Sequence, residues 1–129
     1  MNKLDRESVT GISALLVHAA NIDEIYSDHE KTLIMDFIKS YLKEDDANDI
    51  LKKAEEIESN SNQLLNFTNI IKQKSMDIKK NIIEHLWRVI ISDNTIDQYE
   101  SNLMRRICGL IYFPDKESAE IKLRLVNLK

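Results

Sequence analysis

Residues 21–30 read NIDEIYSDHE and residues 91–100 read ISDNTIDQYE. Both carry one polar skeleton: Asp, then Ser or Asp four positions later, then Glu three after that. In the first copy these are Asp23, Ser27 and Glu30; in the second they are Asp93, Asp97 and Glu100, a constant displacement of 70 residues. The apolar residues that follow keep the same displacement. Leu33 answers to Leu103, Ile34 to Met104, Phe37 to Ile107 and Ile38 to Cys108. Each copy therefore reads as a helix, a tight turn and a second helix, a helical hairpin used twice around a shared core.

The composition agrees with that reading. Of 129 residues, only 2 are Gly and 1 is Pro, and aromatics make up 6%. Gly and Pro punctuate turns and break helices, so their scarcity predicts long helices with short polar connections. The expected fold is all-α, a compact bundle of about seven helices forming one domain over residues 1–129. A chain of this length buries roughly two-thirds of its unfolded surface.

Working outward, Val9, Ile12, Leu15, Leu16 and Ala19 place one apolar stripe on a first helix over about 4–22. The second helix, about 28–42, carries Ile34, Phe37, Ile38 and Tyr41. A third follows the acidic run 44–46, with Ile50, Leu51, Ala54 and Ile57 inward and Glu55, Glu56 and Glu58 outward. The run SNSN (59–62) is expected to break it, because these side chains compete for backbone hydrogen bonds. A short fourth helix follows over about 63–72. Ser75 is placed to cap a fifth helix that runs to about 92, the sixth spans about 98–111 until Pro114, and the seventh spans about 116–128.

Charge and cysteine content narrow the function. The net charge is −4, but residues 1–65 hold 14 acids against 7 bases while residues 66–129 hold 8 against 11. The bases are scattered and the densest charge is acidic, which argues against nucleic acid and for cations or a basic protein partner. A single cysteine, Cys108, excludes an internal disulfide and a Cys-based zinc cluster. On the apolar stripe of the sixth helix it reads as a buried, inert thiol. No stretch approaches the roughly 20 apolar residues of a membrane span, and the opening MNKLDRESVT lacks a signal-peptide core, so a cytoplasmic protein is expected. His18, His29 and His85 have no helical or Cys-paired ligand spacing, and Trp87 reads as core or interface. No phosphate loop or nucleophile motif is present, so no enzyme is expected.

The repeated acids admit two readings. Ser27 with Glu30, and Asp97 with Glu100, fit capping boxes, in which the first residue accepts from the N3 amide and the Glu reaches back. Asp23 and Asp93 do not belong to that device. Each falls where the preceding helix ends, and a carboxylate there opposes the helix dipole by some tenths of a kcal/mol. An Asx-turn is one account of them. The other is convergence of Asp23, Glu30, Asp93 and Glu100, with Asp28 and Asp97 nearby, into an oxygen-rich site for a hard divalent cation: Ca²⁺, Mg²⁺ or Mn²⁺. An EF-hand is excluded, since counting from Asp93 the loop has Thr at position 3, Gln at 6 and its Glu at 8.

At these residues the chain resembles the TerB-like family of tellurite resistance protein B. Its signature is an Asp-Gly turn after one helix and a Glu seven residues past the Asp, often occurring twice. The matching stretches are HAANIDEIYSDHE (18–30) and LWRVIISDNTIDQYE (86–100), the latter followed by SNLMRRICGLI. The resemblance implies an all-α bundle, a divalent-metal site at Asp23, Glu30, Asp93 and Glu100, and a link to stress, tellurite or membrane-associated defence. The family's turn glycine is replaced by Glu24 in the first copy and Asn94 in the second. Asn adopts the left-handed conformation more readily than Glu does.

Overall fold

The computed structural model describes residues 4–21, 27–60, 64–91 and 98–127. Among these, seven helices run in order: α1 (Arg6–Ala20), α2 (Asp28–Tyr41), α3 (Glu44–Asn60), α4 (Leu64–Lys72), α5 (Met76–Ile91), α6 (Gln98–Ile111) and α7 (Asp115–Asn127). The described residues contain no strand, so the fold is all-α.

The helix ends follow local chemistry. Asp5 caps α1 by accepting from the Ser8 amide at 2.7 Å, and that bond holds its carboxyl below the usual range. Ser75 caps α5, its Oγ accepting from the Ile78 amide at 3.3 Å. At the end of α6 the Phe113 amide reaches back to the Cys108 carbonyl at 2.9 Å, and Tyr112 takes a φ of 60°. This is a Schellman ending with Tyr where Gly is usual. It closes α6 before Pro114, whose carbonyl then accepts from the Ser118 amide at 3.1 Å and opens α7. As expected of the run 59–62, α3 ends there, at Asn60. Ser59 turns its hydroxyl onto the Glu56 carbonyl at 2.9 Å, satisfying itself within the last turn.

The largest departure from the sequence reading concerns α1. One apolar stripe was expected, yet twelve of its fifteen residues are buried, including Thr10, Ser13, Ala14 and Val17. From Ser8 to Ala20 the helix carries no Asp, Glu, Lys or Arg, so every face can leave water. It packs against α2, α3, α4 and α5 and forms the axis of the core. Around it, α3 also lies against α2, α4 against α6, and α7 across both α5 and α6. The core side chains include Ile12, Leu15, Leu16, Phe37, Ile82, Leu86 and Ile90, all essentially inaccessible.

Local contacts lock these pairs. Between α2 and α5, Phe37 meets the His85 ring edge-on with centroids 5.1 Å apart, while Asn81 Nδ2 donates to the Tyr41 hydroxyl at 2.6 Å. Between α5 and α7, Trp87 Nε1 donates to Ser118 Oγ at 2.9 Å. Trp87 is thus a core residue. Glu84 on α5 also holds Arg124 of α7 at 2.5 Å.

Candidate functional site

The two acidic turns lie between α1 and α2 and between α5 and α6. Helices α2 and α6 are both 14 residues long, and their bounds, 28–41 and 98–111, differ by the same 70 positions as the sequence skeleton. Glu30 and Glu100 are each the third residue of their helix. Both are buried, at 5% and 4% exposure. Burial of a carboxylate is costly unless hydrogen bonds and local dipoles compensate it, and the first turn of a helix supplies both.

For Glu30 that compensation is explicit. Its Oε1 accepts from the Ser27 amide at 2.9 Å and from the Ser27 hydroxyl at 3.0 Å. The Ser27 Oγ in turn accepts from the Glu30 amide at 3.1 Å. The capping box expected from Ser27 and Glu30 is therefore complete. Asp23, Asp93 and Asp97 lie outside the described residues, and of the four acids expected to converge the structure describes Glu30 and Glu100. Among the described residues, no three His, Cys, Asp or Glu side chains form a metal-holding group. Of the assisting residues, Asp28 is exposed in the first turn of α2.

One acidic residue beside the first turn was misjudged from sequence. Glu58, expected to face outward on α3, has a side chain only 16% exposed and lies against the end of α1. Its Oε1 stands 3.4 Å from His18 Nδ1, and its Oε2 accepts from Asn21 Nδ2 at 3.3 Å. The available signal was the i, i+3 spacing of His18 and Asn21, which puts both on one face of the last turn of α1. His29 is exposed, as a solvated histidine would be.

Two other titratable groups are shaped by the core. Burial is the main cause that pushes the His85 pKa down. Its Nδ1 sits 2.9 Å from the Asn81 carbonyl. Because a carbonyl only accepts, Nδ1 carries the proton and Nε2 the lone pair. Burial likewise pushes the Cys108 thiol up, with a hydrogen bond from Ser118 opposing it. Cys108 is buried and free of disulfide, and a protonated, enclosed thiol is a poor nucleophile.

An all-α domain built from capped helices, with a buried glutamate in the first turn of each of two corresponding helices, defines a small helical module. Comparison with known families gives it a place: the model of the family described as tellurite resistance protein TerB matches residues 10–123. The chain belongs to the TerB family. Neither a curated protein nor a solved structure matches it. No described helix is long and apolar enough to cross a membrane.

Proposed function

We propose that this TerB-family chain is a non-enzymatic module in which two duplicated hairpins, α1–α2 and α5–α6, take a hard divalent cation. Asp23, Glu30, Asp93 and Glu100 would supply the oxygens, and Ca²⁺, Mg²⁺ or Mn²⁺ is the class of ion such donors suit. The observation that supports this reading most is the equivalence of Glu30 and Glu100, both buried at the third position of helices displaced by 70 residues. The donor set is oxygen-only, as a hard cation requires. A bound ion would neutralise clustered carboxylates and tie the hairpins together, a module suited to stress or tellurite resistance in the cytoplasm.

A second reading is favoured by the completed capping box. Ser27 and Glu30 satisfy each other without any ligand, and the acids would then be helix caps on a surface that docks a basic protein partner. Thermal unfolding with and without millimolar Ca²⁺, Mg²⁺, Mn²⁺ and Zn²⁺ separates the two. A ligand at 100 times its dissociation constant adds about 2.7 kcal/mol when it binds only the folded state. The metal reading expects such a shift in the natural chain and its loss in the Asp23→Asn/Asp93→Asn variant. An identical melting temperature in every ion would overturn it and leave the docking surface.

A further inference from the structure

A cavity of about 610 Å³ opens between α1, α3 and α4, lined by residues of these three helices. Its inner wall is apolar: Gly11 and Phe67 are buried, and Ile57 and Ile70 are half-buried. Its mouth is charged, with Arg6 and Lys53 both exposed. The volume falls within the range of roughly 300–1,000 Å³ typical of small-molecule sites, which combine apolar walls with a few placed polar groups.

Gly11 is what makes the wall. A Cβ at this position would collide with Cδ1 of Ile70, so the bare backbone lets α4 lay Ile70 directly on α1. Beside that contact the cavity opens between α1, α3 and α4. Two cations flank that space and differ in commitment. Arg6 is paired to Asp46 at 3.4 Å, whereas among the described residues no carboxylate stands within ion-pair distance of Lys53. Glu7 also borders the mouth and Asp46 offsets Arg6, so the rim is balanced in charge and Lys53 is the cation it leaves for a ligand.

We propose that this cavity binds a single-chain fatty acid, with the alkyl chain against Gly11, Ile57, Phe67 and Ile70 and the carboxylate at Lys53 and Arg6. The charge pattern selects this occupant. A neutral alkane would leave Lys53 unused, and a polyanion would meet Glu7 and Asp46. At the mouth the Lys53 ammonium offers the carboxylate a charge-assisted hydrogen bond.

The test is a titration of the ¹⁵N-labelled full chain with decanoate below its micelle threshold, followed by amide chemical shifts, with decanol and the Lys53→Glu variant as comparisons. Saturable shifts at Thr10, Gly11, Ile57, Phe67 and Ile70 are expected. Decanol and Lys53→Glu should each bind more weakly by about tenfold or more, the loss typical of one charged hydrogen bond. Lys53 is exposed, so its substitution leaves the core intact, and the unperturbed amide spectrum of the variant verifies this. The Ile57→Trp variant, which fills the space along the apolar wall, should lose decanoate binding as well. Absence of saturable shifts, shifts centred elsewhere, or decanol binding as tightly as decanoate would each overturn the proposal.

Discussion

The indole Nε1 of Trp87 on α5 donates to the hydroxyl of Ser118 on α7 at 2.9 Å, with both residues buried. This one side-chain bond ties α5 to α7. Lys122 of α7 lies over the same indole, 5.3 Å from its centroid. Removing the hydroxyl strands a buried N–H, which costs about 1–3 kcal/mol. Ser118→Ala is therefore expected to lower the urea midpoint by that free energy with an unchanged m-value. Adding Trp87→Phe should cost less in the Ser118→Ala background than in the natural chain. Equal costs in both backgrounds would show that the bond contributes nothing.

The His85 imidazole gives a pH dependence with a definite sign. Its folded pKa lies below the ordinary value of 6.5, mainly through burial. The unfolded chain then binds more protons than the native one as pH falls through 6.5, so stability declines on the acid side. The contribution is complete above 6.5 and lost progressively toward the folded pKa. Denaturation between pH 5 and 7 should show this slope, and His85→Phe, which keeps the aromatic contact to Phe37, should flatten it. An imidazole proton resonance of His85 titrating at or above 6.5 would contradict the assignment.

At the C-terminal end of α6, two residues carry unused stability. Gly109 is exposed and a Cβ there meets nothing, so Gly109→Ala should raise stability by about 0.5–1 kcal/mol. Gly11→Ala should not show this gain, because Ile70 must move. Tyr112 holds a φ of 60°, a conformation that costs a side-chain-bearing residue about 1–2 kcal/mol. Its ring also receives Lys72, 5.0 Å from the centroid, a contact worth about 0.5–1 kcal/mol at an exposed site. Strain relief is the larger effect, so Tyr112→Gly should stabilise and Tyr112→Val should destabilise. Thermal melts of these variants rank them directly.

Ser13, in the middle of α1, is fully buried and its Oγ has no hydrogen-bond partner. Thr10, one turn earlier, returns its hydroxyl to the Arg6 carbonyl at 2.7 Å. An unpaired buried hydroxyl costs about 1–3 kcal/mol. Ser13→Ala is expected to be stabilising by about 1 kcal/mol in chemical denaturation. A loss of stability would mean that the hydroxyl is satisfied in solution.

Most helix boundaries were legible in the sequence because they depend on neighbours a few residues apart. Ser27 with Glu30 and Ser75 with Ile78 are such local devices, and the identical spans of α2 and α6 follow the 70-residue displacement already visible in the skeleton. The break expected at 59–62 is of the same local kind: α3 ends at Asn60 and α4 begins at Leu64, with the Ser59 hydroxyl bonded inside the last turn. Of the candidate site, the sequence marked Glu30 and Glu100 but not their burial. A capping glutamate is exposed or enclosed according to what packs over the helix start, and that is set by residues far away in the chain.

The order of seven helices, their caps and the correspondence of α2 with α6 were determined by the sequence through short-range periodicity and hydrogen bonding. The tertiary structure decided which faces meet. It made α1 the axis of the core rather than an amphipathic edge, turned Glu58 onto His18 and Asn21, and opened the cavity against Gly11. Each of these depends on contacts between helices distant in sequence, where burial of total apolar area, and not the pattern of any one helix, selects the arrangement.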